Sequence, residues 1–278
     1  MGKIVWLASY PKSGNTWVRM FLNSYFKGPE EKQDLNTLDL STFGGSSKTS
    51  YRAVTSKNVD SLSDAEIMAL TPLAHSHIAA QKPNEVFVKT HNLLSTYYDI
   101  PLITPTVTAS GLYIIRNPLD LVLSVADHFG LTVDKAIDFI SNPNGSTAPT
   151  ETMVRQIFCS WTENVKSWSE TPPFPVFVVR YEDLHATPID MFSEILTFLG
   201  TQPDLKQVQK AAKQCSFKAL RQMEKRDGFT EKSQHSKSFF RVGKTGQWKS
   251  KLTVDQIERI VRPNYAQMKR FGYLPDGY

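Results

Sequence analysis

Four side chains are spaced as if to handle a negatively charged group and a hydroxyl: Lys12, Lys89, His91 and Arg116. Lys12 lies in Tyr10-Pro11-Lys12-Ser13-Gly14-Asn15-Thr16-Trp17, where an apolar run stops, passes a short Ser/Gly loop and restarts with helical spacing. A strand, loop and helix in that order aim backbone N–H groups and the positive end of the helix dipole at one point. Gly14 permits close backbone approach to a ligand, while Ser13, Asn15 and Thr16 add side-chain donors for phosphate or sulfate oxygens. Lys12 precedes Ser13-Gly14, so the Gly-Lys-Ser/Thr order of a nucleotide triphosphatase loop is missing.

Val86-Phe87-Val88-Lys89-Thr90-His91 is a β-branched and aromatic run, and a period of two puts Lys89 and His91 on the same side of it. A neutral histidine at a strand end suits the removal of a proton from a hydroxyl near pH 7, and a neighbouring lysine suits charge on a transferring group. Arg116 follows the apolar run Leu112–Ile115, and Ser124 falls about two turns into the next helix, so the two could converge on a second anion. Each of these residues also has a plainer use, Arg116 as the partner of a surface carboxylate and His91 as a structural ring.

The elements that must position them read as alternating strands and helices. After the first loop, Trp17, Met20, Phe21, Ser24 and Tyr25 share helical spacing over Thr16–Phe26, with Gly28-Pro29 as the stop. Asp39–Ser63, rich in Ser, Thr and Gly, reads as a mobile loop, and Ser63-Asp64-Ala65-Glu66 opens a short helix by reciprocal capping. Asn117-Pro118 opens another helix with Asp120 at its positive end. Met153, Ile157, Trp161, Val165 and Trp168 predict one long amphipathic helix over Thr150–Trp168. Val176–Arg180 reads as a buried strand, Thr187 to Gly200 and Leu205 to Glu224 as helical, and Asp227–Lys237 as a flexible lid.

The chain of 278 residues with 40% hydrophobic content is read as a single domain, 1–278. Its net charge of +5 favours an anionic ligand, but no Lys/Arg-rich run points to nucleic acid. Cys159 and Cys215 read as reduced residues in helical surroundings, and His75 with His77 as structural rather than metal-binding. The first apolar run is too short for a signal peptide core, Trp6 stands where myristoylation needs Ser or Thr, and no segment has membrane-spanning length. The expectation is a cytoplasmic protein with neither membrane nor nucleic acid as a partner.

Tyr-Pro-Lys-Ser-Gly-Asn-Thr-Trp resembles the loop of the sulfotransferases that use 3′-phosphoadenosine 5′-phosphosulfate (PAPS), with Asn15 where Thr is usual. Lys89-Thr90-His91, Arg116-x-Pro118-x-Asp120-x-x-x-Ser124, Tyr181-Glu182-Asp183-Leu184 and Arg241-Val242-Gly243-x-x-Gly246-x-Trp248-Lys249 resemble further elements of that family in the same order. The resemblance implies an α/β fold of three layers, with a central parallel sheet flanked by helices around the P-loop-like element. It also implies PAPS as donor, PAP as product and no metal. Lys12, Ser13, Gly14, Asn15 and Thr16 would hold the 5′-phosphosulfate end, and Trp17, Tyr181, Ser216 and Phe217 would lie near the adenine. Arg116, Ser124, Arg241, Val242 and Gly243 would form the 3′-phosphate site, with Val242 replacing a usual lysine. His91 would be the general base, Lys89 would contact the sulfuryl group, and Lys12 would face the departing phosphate.

Lys249, Thr253, Val254 and Glu258 match a dimerisation element of cytosolic members, or serve equally as a helix cap in a monomer. Phe21, Tyr25, His128, Phe129 and Phe239 either line a pocket for a phenol, sterol or other amphiphilic acceptor or belong to the core. The polar loop Ser41–Ser56 leaves a sugar or glycopeptide hydroxyl open. Two other functions fit the same loop: a P-loop-type small-molecule kinase, and a non-catalytic adenosine-bisphosphate-binding module.

Overall fold

Strand β1 (Ile4–Ser9) is buried along its whole length, as a strand paired on both sides and covered on both faces must be. In the computed structural model, which describes residues 2–28, 33–38 and 42–278, it is followed by β2 (Thr42–Gly44), β3 (Val86–Thr90), the short antiparallel pair β4 (Thr96–Tyr97) and β5 (Ile100–Pro101), β6 (Thr108–Ile115) and β7 (Val176–Arg180). Strands β2-β3-β1-β6-β7, in that order, form a central parallel sheet flanked by helices, which is the expected α/β architecture. Ile4 pairs with Val86 and Ala8 with Thr90, so the residues that follow, Ser9 and His91, leave adjacent parallel strands at the same end. The sequence alternation of β3 is realised: Val86, Val88 and Thr90 are buried while Phe87 and Lys89 are half-buried.

Two compact units emerge from the contacts. The first comprises Met1–Pro11, Thr42–Tyr113 and Phe139–Val178, the second Lys12–Ser41, Ile114–Asp138 and Val179–Tyr278.

In the first unit, Trp6 donates from Nε1 to Thr108 Oγ1 at 2.9 Å and meets the His75 ring edge-on at 4.9 Å. Gly45 makes room for it, since a Cβ there would stand 2.9 Å from the indole. His75 is structural: it lies on the helix Asp64–Ala79, is buried, and accepts from or donates to Thr104 Oγ1 at 2.8 Å. Ser63 and Glu66 do form the capping box, but the helix they open runs for four turns.

Two expectations fail here. Residues 42–63 are folded, with β2, a helix Lys48–Arg52 and a 3-10 turn Val59–Ser61, because Tyr51 and Val59 bury and Lys48 and Arg52 both pair with Asp60. Asp39, Leu40 and Ser41, from the same stretch, and Pro29 of the first helix stop lie outside the described residues. The long helix over Thr150–Trp168 is also wrong, since helix occupies only Trp161–Ser169. The run before it is extended, with Val154 N–H bonded to Ser46 O, Lys48 N–H to Thr152 O and Thr147 N–H to Gln156 O. Apolar residues four apart satisfy a period of two as well as one of 3.6, and here the strand-like solution wins. Cys159, at φ 55, ends the extended run, and Ser160 with Glu163 caps the helix. Neither cysteine is inside a helix; both are free thiols, Cys215 buried and Cys159 half-buried.

The second unit is built from helices, among them Asn15–Lys27, Pro118–Phe129, Pro188–Phe198, Leu205–Gln214, Phe217–Asp227 and Val254–Arg270. Ser216 caps the fifth of these through Ala219 N–H, splitting the helical stretch expected over Leu205–Glu224. Asp227–Lys237, read as a flexible lid, is tied down instead: Glu231 pairs with buried Arg19 at 2.6 Å, and Ser236 bonds the Asp127 carboxylate at 2.8 Å. Among the described residues, no helix is long and apolar enough to cross a membrane.

Candidate functional site

The loop after β1 turns by means of two left-handed residues, Lys12 at φ 71 and Gly14 at φ 105, and delivers the chain into the helix beginning at Asn15. Lys12 pays for that conformation with a favourable setting: its ammonium stands 3.3 Å from His128 Nδ1 and 4.0 Å over the Phe239 ring. Its carbonyl accepts from Arg116 Nη1 at 3.0 Å, which fixes the guanidinium against the loop. Arg116 in turn lies 4.4 Å over the ring of Tyr181, a cation–π contact in a buried place.

Tyr181 is the hub of the second unit's site residues. A Cβ on Gly14 would come within 2.7 Å of its ring, so only glycine lets the loop lie there. Trp17 packs edge-on to Tyr181 at 5.9 Å and to His185 at 6.4 Å. His185 Nε2 bonds the carbonyl of Gly243 at 2.8 Å, and Gly243, at φ 61, lies so close on the Phe217 ring that a Cβ would overlap it. Burial raises the Tyr181 phenol above its ordinary pKa, with the Arg116 charge opposing that rise.

Thus Lys12, Gly14, Trp17, Arg116, Tyr181, Phe217 and Gly243, scattered over the sequence, form one connected set. Ser13, Asn15 and Thr16 are buried in the same loop and first helical turn. Ser124 is half-buried on the helix Pro118–Phe129, Ser216 caps the Phe217 helix, Val242 is half-buried, and Arg241 stands 3.7 Å from Asp127 in an exposed pair.

Within the first unit, Lys89 sits near the end of β3, its carbonyl taking Gly45 N–H at 2.9 Å. His91 follows one residue after the strand, its Nδ1 2.8 Å from the backbone carbonyl of Ser9 and 3.3 Å from the Ser9 hydroxyl. A carbonyl only accepts, so Nδ1 carries the proton and Nε2 holds the lone pair of the neutral ring.

Several supporting residues carry no sequence signal of that role. Asp120, read only as a helix-dipole partner, is buried and accepts from Gly246 N–H at 2.5 Å and Trp248 N–H at 3.1 Å, holding the glycine-rich segment in place. His185 links Trp17 to Gly243. Glu182 takes Asn117 N–H at 3.0 Å and the Tyr273 hydroxyl at 2.8 Å, consistent with a structural carboxylate. Of the five aromatic residues considered for an acceptor pocket, Phe21 and Tyr25 are core, with Phe21 stacked on Phe192 at 3.7 Å. His128 and Phe239 flank Lys12, and Phe129 packs edge-on to His128. Thr253 caps the last helix with Gln256, leaving Val254 exposed.

The fit of this loop to an anion rests on a buried donor, the Ser13 hydroxyl. Ser13 Oγ, just before the N-terminus of a 13-residue helix, has no hydrogen-bond partner among the described residues, nor does Nε1 of Trp17, in the first turn of that helix. Buried polar atoms are nearly always satisfied, and an anionic oxygen at the helix N-terminus would satisfy the Ser13 hydroxyl. Among the described residues, no group of three His, Cys, Asp or Glu side chains is arranged to hold a metal ion.

Comparison with known proteins identifies the family. Rat sulfotransferase 1A1 is 26% identical over 267 residues, covering 91% of this chain and 80% of that protein. Flavonol 3-sulfotransferase of Flaveria bidentis is 24% identical over 279 residues, covering 92% and 78%. The solved structure of retinol dehydratase with androsterone and PAP superposes with a TM-score of 0.64 at 18% identity, covering 96% of this chain and 80% of that one, and so shares the fold. The model of the sulfotransferase domain family matches residues 3–272, and the chain belongs to that family.

Proposed function

We propose that the protein transfers the sulfuryl group of PAPS to a hydroxyl of a small-molecule acceptor, releasing PAP. The observation that carries this reading is the buried Ser13 hydroxyl, without a partner among the described residues, in a loop whose shape depends on Gly14 lying under Tyr181. Lys12, Ser13, Gly14, Asn15 and Thr16 are assigned to the 5′-phosphosulfate end. Trp17, Tyr181, Ser216 and Phe217 are assigned to the adenine, and Arg116, Ser124, Arg241, Val242 and Gly243 to the 3′-phosphate. A relative of the same fold solved with androsterone and PAP supports a small-molecule acceptor and an adenosine-bisphosphate product.

In the proposed reaction the acceptor oxygen forms a bond to sulfur as the bond from sulfur to the phosphate oxygen breaks. The hydroxyl proton passes to Nε2 of His91, the nitrogen left unprotonated by the bond from Nδ1 to Ser9 O. Lys12 offsets the charge growing on the departing phosphate oxygen, and Lys89 steadies the sulfuryl oxygens, a task of electrostatics and positioning.

Calorimetric titration with adenosine 3′,5′-bisphosphate, ADP and ATP tests the donor site. Clear preference for the bisphosphate without added metal is the expected result; equal or stronger binding of ATP would return a kinase to first place. His91→Gln should abolish sulfuryl transfer while bisphosphate affinity stays near that of the unaltered protein.

A further inference from the structure

The backbone that carries His91 is clamped by a buried polar relay in the first unit. Asn164, fully buried on the helix Trp161–Ser169, donates from Nδ2 to His91 O at 3.2 Å and to Phe158 O at 3.0 Å. Its Oδ1 accepts from the hydroxyl of Tyr113, also fully buried, at 2.8 Å. The Tyr113 oxygen in turn faces the backbone N–H of Tyr10, the residue after Ser9 in the chain. The next residue, Asn92, is gripped from both sides, by Trp168 Nε1 on its carbonyl at 3.0 Å and by Ile157 N–H on its Oδ1 at 2.8 Å.

Both ends of the His91 ring's setting therefore meet in one network. The strand end that supplies the acceptor for Nδ1 is tied through Tyr10 and Tyr113, and the backbone of His91 itself is tied through Asn164. A carboxamide is the group that can do this, because it donates twice and accepts at once in a fully buried place. Val165 beside it is an ordinary core residue, whereas an amide at position 164 costs desolvation that packing alone would not require.

We infer that Asn164 is a positioning residue for the sulfuryl-transfer reaction, holding His91 in the orientation and tautomer in which Nε2 accepts the acceptor's proton. This inference rests on the reading of His91 as the base. Asn164 would touch neither donor nor acceptor, so its loss should act on the chemical step rather than on donor binding.

The test compares Asn164→Leu, Tyr113→Phe and His91→Gln, each checked for a native thermal transition, by steady-state kinetics and by nitrogen NMR of histidine-labelled protein. For Asn164→Leu, kcat should fall about ten- to a hundredfold with donor KM within about twofold, the size of loss that a small misplacement of a catalytic group produces. Tyr113→Phe keeps the ring and should lose several-fold in kcat alone, on the order of one buried hydrogen bond. In both variants the His91 nitrogen resonances should move from the single Nδ1-protonated tautomer toward a mixture.

A folded Asn164→Leu with kcat and His91 resonances unchanged, beside an inactive His91→Gln, would overturn the inference and leave the base reading intact. An active His91→Gln would overturn the base reading, and the inference with it. Should Asn164→Leu not fold, Tyr113→Phe decides by the same two readouts.

Discussion

Lys12 and His128 face each other in the second unit, with the ammonium 3.3 Å from the imidazole Nδ1. An ammonium only donates, so Nδ1 accepts and the neutral His128 ring carries its proton on Nε2. The contact spans 116 positions of sequence and places Lys12 between an acceptor and the aromatic face of Phe239.

Changes at the two residues should separate charge from placement. Lys12→Met removes the cation and should lower kcat by about a hundredfold or more, the usual scale for a lost preorganised electrostatic group. His128→Phe keeps the cation and removes one charge-assisted hydrogen bond, so a loss of about three- to tenfold is expected. Transfer assays with labelled PAPS measure both, and equal losses would mean that His128 does more than hold the lysine.

Gly14→Ala should damage donor binding before it damages the fold. The new methyl would meet the Tyr181 ring at 2.7 Å, in a residue held at φ 105. Strain of this kind costs about 1–3 kcal/mol, and moving either the loop or Tyr181 relieves it. Calorimetry with adenosine 3′,5′-bisphosphate should show at least about a fivefold weaker affinity, since 1.4 kcal/mol corresponds to tenfold.

Asp120→Ala strips the acceptor from Gly246 N–H and Trp248 N–H, held at 2.5 and 3.1 Å. Hydrogen exchange at Gly246 and Trp248 should quicken, because these two N–H groups, at the start of the short 3-10 helix Gln247–Ser250, are held by this side chain rather than by the helix itself. Bisphosphate affinity should fall several-fold, by about 1–2 kcal/mol. Unchanged exchange there would show that the segment is held by other contacts.

His75 sets a pH dependence on stability. Burial lowers its pKa from 6.5 to about 4, against a bond to the Gly45 backbone that opposes the drop. The folded protein keeps the ring neutral while the unfolded chain takes up a proton, so stability is full above about pH 6.5 and declines as pH falls toward 4. The decline attributable to this group is on the order of 3 kcal/mol. Urea unfolding of His75→Phe should give a lower midpoint at pH 7.5 but a flatter profile between pH 6.5 and 4.

The strand, loop and helix around Lys12 were legible because their parts are contiguous. Strand, turn, glycine and helix start follow one another over fourteen positions, from Ile4 to Trp17, and local rules suffice to read them. Lys89 and His91 were legible for the same reason, as alternate residues at a strand end. The stretch before Trp161 was misread because Met153 and Ile157, four apart, fit a strand as well as a helix. Only pairing with Ser46, Lys48 and Thr147 chooses between them.

Residue types and local spacing thus determined which groups carry charge, where strand, loop and helix follow one another and which family the chain resembles. Tertiary structure alone decided how those groups are held: that Tyr181 seats Gly14, that Asp120 anchors Gly246, that Asn164 clamps His91. Each of these pairs joins residues more than seventy positions apart, and such contacts depend on strand register and helix packing, which are cooperative properties of the whole core and leave no periodic trace in sequence.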